Sequence, residues 1–472
     1  MHRMTGYDAA FIYDELPEEP QHTLKVCIWG REASANYSLE ATRRFVHARL
    51  PQLPPLRWRA VRVPLDLNHP VWVEDLNLDL SFHIQCLALT QPAGRQELCE
   101  EISRIASRPL DPRRPLWELW MLEGYEGEKV VAVLKMSHAL ADGAAAKELL
   151  GRLYSEEPST EQSEPEQAAS SGEPAPSRGT LVRDALRDQL SSTLYELPRL
   201  GRATRAVRRA MRAAPVPRLY PGPRISLLSS PATPFAGTPS RKRNFHFVTV
   251  PLGEAREIRR VLDCTINDVV LATAAGAVRA YLRSRRALPG LPILAHMPAS
   301  IRCDDERHAW GNRITSRPIS LPTHLADPVA RLRAASQVAR EVKVDLARRR
   351  GSDLEDWLRW LPPFVSKGVG QAARMFVRLR PEFPAGIIVS SVPGPRHELH
   401  APGGPVENVI SVGHVKYVAG LNITVWSYTD HLNFGIYTCP KAVPDPGFLA
   451  ELLSDSFETL RKAATREAAR IS

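Results

Sequence analysis

The residues best able to do chemistry lie together in Ser137-His138-Ala139-Leu140-Ala141-Asp142-Gly143. A neutral imidazole with a near-neutral pKa is well matched to taking a proton from an alcohol. Asp142 immediately precedes the helical stretch AAAKELLGRLY and is of the residue type that caps a helix N-terminus. On these residues alone, His138 reads either as a general base or as a loop histidine satisfied beside a helix cap. His138 and Asp142 could also ligate a metal, but no third-ligand pattern such as HExxH accompanies them, and no metal is expected. Ser137 adjoins His138, yet neighbours on an extended segment point to opposite faces, so a Ser–His nucleophile pair is not expected. A second polar pair, Asn267-Asp268, opens an apolar helical run over Val269–Tyr281, where Asp268 suits an N-cap or first-turn acid.

These residues need a scaffold. Lys129–Met136 is apolar on both faces, with Val130, Ala132, Leu134 and Met136 against Val131 and Val133, which predicts an interior strand leading to His138. Further strands are predicted at Thr23–Trp29, Asn244–Val250, Ile293–Pro298, Ile387–Ser391, Leu421–Tyr428 and His431–Tyr437. Helices are predicted at Ser38–Arg49, Gln96–Ser107 and from Asp327-Pro328 through Arg350, the last with an acid and a proline at its start. Strands interleave with helices in both halves, which predicts a mixed α/β class and excludes an all-helical lipid carrier.

A length of 472 residues suggests two or three domains. The hydrophobic fraction of 43% and charged fraction of 24% are those of an ordinary globular chain. No run approaches the ~18 apolar residues of a membrane-spanning helix, and the N-terminus lacks the apolar core of a secretory signal. The cysteines are scattered with no CxxC pair, as expected of reduced thiols in a cytoplasmic protein. A net charge of +10 fits nucleic acid, an anionic membrane or a phosphorylated co-substrate. No zinc-finger spacing or RNA-recognition signature is present, so nucleic acid is not expected.

Glu156–Ser177 holds six glutamates and no basic residue before Arg178, and reads as a disordered loop. Leu197–Ser226 inverts the charge, with eight arginines and no acid. There Arg202, Arg205, Arg209 and Arg212 share one helical face, and Leu200, Thr204, Val207 and Met211 another. Such a helix either lies on an anionic membrane or packs on the protein with a solvated basic face. The expected division is an N-terminal lobe over 1–155, a connector over 156–239 and a C-terminal lobe over 240–472.

SHALADG resembles the HHxxxDG motif of the chloramphenicol acetyltransferase and condensation-domain superfamily. The flanking text is similar to the wax ester synthase/acyl-CoA:diacylglycerol acyltransferase family nearly end to end. The matching segments are DAAFIYDELPEEPQH, PVWVEDLNLDLSFHI, PLWE at Pro115–Glu118, TPF, NDVVLA, MPASIR at Met297–Arg302, GNR at Gly311–Arg313, SSVPGP and GLNITVWSY. One departure is clear: Ser137 stands where the family has its first motif histidine.

The resemblance implies two chloramphenicol-acetyltransferase-like α/β lobes with an active-site tunnel between them and His138 at its centre. It implies a general-base role for His138, with Asp142 holding the loop through capping or an arginine salt bridge, Gly143 permitting a close helix start, and Ser137 in a supporting place. Asn267 and Asp268 match the family's ND motif, Asn267 helping to orient substrate. Pro115, Leu116 and Trp117 would pack at the acyl channel, and Asn422 and Thr424 would border the interlobe site. Acyl-CoA is the implied co-substrate, with no other cofactor. The implied acceptor is diacylglycerol or a long-chain alcohol, met at an anionic membrane or lipid-body surface on the cytoplasmic side. Two alternatives stay open: the same fold serving another acceptor or a carrier-bound donor, and a non-catalytic lipid-surface protein.

Overall fold

Strand pairing sorts the described residues into three sheets. The computed structural model describes residues 1–154, 176–188, 230–236, 239–302, 309–348, 363–379, 386–395, 397–417 and 419–471. The arginine-rich segment, and the acidic segment apart from its last two residues, lie outside them. A small sheet joins β1 (His2–Arg3), β3 (Trp58–Val61) and β4 (Val71–Glu74) in the order β1-β4-β3.

The first large sheet uses β2 (His22–Trp29), β5 (Ile84–Ala88), β6 (Trp117–Tyr125) and β7 (Lys129–Ser137), together with β12 (His400–Ala401) and β13 (Gly404–Val412). Its order is β12-β13-β2-β7-β6-β5. The second large sheet is built from β8 (Asn244–Pro251), β9 (Ile293–Ser300), β10 (Ile314–Leu321), β11 (Ile387–Val392), β14 (Leu421–Tyr428) and β15 (His431–Thr438), in the order β10-β9-β11-β14-β15-β8. Strands β12 and β13 thus come from beyond residue 240 but extend the sheet of the N-terminal half, with β13 pairing antiparallel to β2.

Both faces of β2 and β7 are covered, which is why neither shows the simple alternation of a half-exposed strand. Val131 and Val133 pack with Leu24, Val26 and Ile28 against the helix Arg95–Ala106 and β8. Ala132, Leu134 and Met136 pack with Cys27 and Trp29 on the opposite face, against the helices Gly6–Tyr13 and Gly143–Leu153. In the second half, the almost fully buried helix Ile266–Ser284 packs with Leu252–Val261, Pro328–Arg348 and Pro446–Ile471 on its sheet. The sequence expectation did not mark β6, β10 or β13 as strands. Trp117–Tyr125 carries Glu118 and Glu123 and no clear period, and becomes a strand because β5 and β7 flank it.

Candidate functional site

The end of β7 lies between two neighbouring strands, and it carries His138 into a loop held by backbone bonds. The His138 N–H donates to the Gln21 carbonyl (2.8 Å), and the Gly311 N–H donates to the Leu140 carbonyl (3.2 Å). Ala141 and Gly311 pair as a parallel bridge between the two halves of the chain.

The imidazole is fixed by a longer chain of contacts. His138 Nδ1 lies 2.9 Å from Asn312 Oδ1. The Asn312 amide nitrogen donates to the Asp8 carboxylate (2.8 Å) and to the His138 carbonyl (2.7 Å), and its backbone N–H donates to Asp8 (3.0 Å). With two acceptors facing its NH2 group, Asn312 must turn its carbonyl oxygen to the imidazole. A carbonyl only accepts, so Nδ1 carries the proton and Nε2 keeps its lone pair. Asp8 sits on the helix Gly6–Tyr13, capped by Thr5. One turn on, Phe11 stacks on the imidazole at 4.5 Å and 10°. The i,i+3 spacing places Asp8 and Phe11 on one helical face, so a single helix holds both Asn312 and the ring of His138.

Burial draws the His138 imidazole down to about 4, the Lys25 charge adding to the effect. At neutral pH the ring is therefore uncharged. His414 stands edge-on to His138 at 4.9 Å, and burial pulls its pKa down as well.

Asp142 does not touch His138. Its carboxylate accepts the Ala145 N–H that starts the helix Gly143–Leu153 (2.9 Å) and the Arg313 N–H (2.8 Å), and meets the Arg302 guanidinium at 2.9 and 3.0 Å. Arg302 in turn donates to the Ala309 and Gly311 carbonyls. The ion pair is shielded, the Arg302 and Asp142 side chains being 5% and 0% exposed. One carboxylate thus holds the His138 loop and the Gly311–Arg313 loop together. Two glycines are required by close approach. A Cβ on Gly143 would lie 2.9 Å from Val392, and Gly311 has φ +80° with the Asp8 carboxylate 3.2 Å from its missing Cβ.

Of these groups, His138, Phe11, Lys25, His414, Asp142 and Gly143 border a cavity of about 690 Å³ between the two large sheets. Of the residues singled out in the sequence, His138, Asp142, Gly143, Asn422 and Thr424 line it. Ser137 is buried beside it, its hydroxyl accepting the Ala139 N–H (3.3 Å). Pro115, Leu116 and Trp117 do not line it. The Leu116 carbonyl accepts the Ser137 N–H (2.9 Å), while the Trp117 indole donates to the Leu56 carbonyl (2.7 Å) and stacks on His83. That apolar segment steadies the end of β7 from within the core. Asn267 is also off the cavity, its amide reaching Met297 Sδ at 4.0 Å. Asp268 completes a capping box with Thr265.

Sequence reasoning missed Asp8, Phe11, Lys25, Arg302, Asn312 and His414 as site residues. Asp8, Phe11, Arg302 and Asn312 lie in segments that carried the family resemblance, and Lys25 stands out as a single charge inside the apolar run of β2. Among the described residues, no group of three or more His, Cys, Asp or Glu side chains is arranged to hold a metal.

Comparison with known proteins places this geometry in a family. Residues 4–270 match the wax ester synthase/diacylglycerol acyltransferase catalytic domain, and residues 310–461 match the WS/DGAT C-terminal domain. A Mycobacterium tuberculosis protein named as a candidate diacylglycerol O-acyltransferase is 32% identical over 480 residues, covering 98% of this chain and 97% of that protein. A Mycobacterium bovis protein of the same designation is 31% identical over 470 residues, covering 97% of this chain and 90% of its own. Among solved structures, the wax ester synthase/diacylglycerol acyltransferase from Marinobacter aquaeolei VT8 superposes with a TM-score of 0.69 at 22% identity, over 98% of this chain and 100% of that one. The starter condensation domain of rhizomide synthetase superposes at 0.59 and 13% identity, over 98% and 94%. These likenesses show the two-lobed α/β fold, and the chain belongs to the wax ester synthase/diacylglycerol acyltransferase family of acyltransferases.

Proposed function

We propose that this protein transfers an acyl group from acyl-CoA to the hydroxyl of diacylglycerol, of a long-chain alcohol, or of both, giving triacylglycerol or wax ester. The observation that carries this reading is the state of His138, with Nδ1–H committed to Asn312 and the Nε2 lone pair left for the cavity. A thioester is already a good electrophile, so the harder partner to activate is the neutral alcohol. Nε2 takes the hydroxyl proton as the oxygen attacks, then returns it to the departing CoA thiolate. Asn312 and Asp8 hold the ring, and Asp142 with Arg302 holds the loop. No acyl-enzyme is required, and Ser137 serves as backbone and packing.

The acceptor is apolar and is met at an anionic membrane or lipid-body surface on the cytoplasmic side. No single helix among the described residues is long and apolar enough to cross a membrane. Arg202, Arg205, Arg209 and Arg212 supply the charge for surface attachment, each contributing on the order of 1 kcal/mol near anionic lipid. Replacing all four by glutamine lowers binding to anionic vesicles at low salt; unchanged binding removes this element from the reading.

The test is ester synthesis by the purified full-length protein from labelled palmitoyl-CoA, with dioleoylglycerol and hexadecanol as separate acceptors. Labelled triacylglycerol or wax ester is expected, and His138→Ala lowers turnover by about 10²–10⁴ while remaining folded. Near-normal synthesis by that variant would remove His138 from the mechanism. No ester from either acceptor would favour another acceptor or a non-catalytic surface protein.

A further inference from the structure

Lys25 is the anomaly of β2. The strand is buried along its whole length, and Lys25 is itself only 4% exposed. Among the described residues no carboxylate lies within ion-pair distance of its ammonium. Its hydrogen bond to the Thr23 hydroxyl is long at 3.4 Å, and the Trp426 ring lies 5.4 Å away. The Asp142 carboxylate is already occupied by Arg302 and two backbone N–H groups. Burial draws the ammonium down to about 7, the Asp142 charge beyond ion-pair distance offsetting only part of the effect. An uncompensated buried cation is costly.

The register shows what Lys25 shares. Thr23 lies opposite Met136 and Lys25 opposite Leu134, so these side chains occupy one face of the sheet. His138 follows Met136 at the alternating position, and Lys25 and His138 both line the cavity. A neutral base and an unpaired ammonium thus reach one space from adjacent strands. Hydrogen-bond donors already fixed in a water-poor site stabilise charge that develops during the reaction without reorganising.

We propose that Lys25 is a second catalytic residue, its ammonium donating a hydrogen bond to the thioester carbonyl oxygen as that oxygen becomes an oxyanion. This rests on the O-acyl transfer reading above. The acceptor oxygen bonds to the thioester carbon while His138 Nε2 takes the hydroxyl proton, and the carbonyl π pair moves onto the oxygen held by Lys25. Collapse re-forms the carbonyl, breaks the C–S bond and releases CoA thiolate, which takes the proton back from His138. Lys25 keeps its protons throughout.

The experiment compares full-length wild type, Lys25→Met and Lys25→Ala with palmitoyl-CoA and hexadecanol. Lys25→Met is expected to lower kcat by about 10²–10³-fold, with KM for both substrates changed by less than about threefold. Its thermal midpoint rises, because an unpaired buried cation has been removed. Lys25→Ala regains activity as ethylammonium is added, a response that a packing residue does not show. Unchanged kcat in Lys25→Met would overturn the proposal while leaving the acyl-transfer reading intact. A loss confined to KM for palmitoyl-CoA would overturn it in favour of phosphate binding. A loss with a lower midpoint and no amine rescue would overturn it in favour of packing. Absence of ester from the wild type with hexadecanol and, separately, with dioleoylglycerol would overturn both readings.

Discussion

The helix Gly143–Leu153 starts at Asp142, and the helix Ile266–Ser284 starts at Thr265 with Asp268 in its first turn. Both carboxylates satisfy backbone N–H groups that a helix start leaves open, at 2.9 Å for Asp142 and 2.8 Å for Asp268. In sequence they look alike, a short acid ahead of an apolar helix. They differ in what else reaches them. The Asp268 carboxylate closes a local box with Thr265, whereas Asp142 also receives Arg302 and the Arg313 N–H from the other half of the chain. The long-range partners turn a cap into a clamp between the loop that carries His138 and the loop that carries Asn312.

Removing each acid separates the two roles. Asp142→Ala leaves the Arg302 guanidinium buried without its counter-charge, and stability in urea should fall by about 3–5 kcal/mol. Ester synthesis should fall with it, since both loops are released. A variant that melts normally and acylates normally would show that the clamp is not needed. Next in size, Asn312→Leu should lower kcat by about 10²-fold, because the imidazole loses the partner that sets its tautomer and position. A change in KM alone would place Asn312 in substrate binding instead.

The acid side of the pH response follows from His138. Its folded-state value is about 4 against an ordinary 6.5, so the unfolded chain takes a proton that the folded protein resists. Its contribution to stability is full above about 6.5, is lost as pH falls towards 4 and levels off below that. The free base persists over the same window, so below about 7, where the Lys25 ammonium is also intact, kcat/KM should hold until pH nears 4 and then fall about tenfold per unit. An acid limb near 6.5 would mean a solvated imidazole. Asp268→Ala should cost only about 0.5–2 kcal/mol, the usual value of a lost cap, with unchanged activity per folded molecule. An activity loss there would bring Asn267-Asp268 back to the site. The mildest change is Ser137→Ala, which should stay close to wild type. Abolished activity, with an acyl adduct on Ser137 in the wild type, would require a covalent route.

What could be read from the sequence was local. An apolar run with both faces covered, a loop histidine and a capping acid announce themselves within a few positions, and β7, His138 and Asp142 were therefore legible. Asn312 and Asp8 were not, because their bonds span 174 and 304 residues, and the segments that hold them carried the family resemblance without pointing to each other. Pro115-Leu116-Trp117 was hard to place for the opposite reason. Apolar residues in a shared segment suit a channel wall and a core equally, and the Leu56 carbonyl, with no local mark in sequence, draws the Trp117 indole inward. The strand β13 was equally hidden, since its partner β2 lies nearly four hundred residues earlier.

The most direct probe of the His138 arrangement is a ¹⁵N histidine side-chain titration of the full-length protein, with His138 assigned by its absence in His138→Asn. Protonated Nδ1 and unprotonated Nε2 are expected from pH 8 down to about 5, with the second proton added near 4. A protonated Nε2 at neutral pH, or titration near 6.5, would contradict the Asn312-held base.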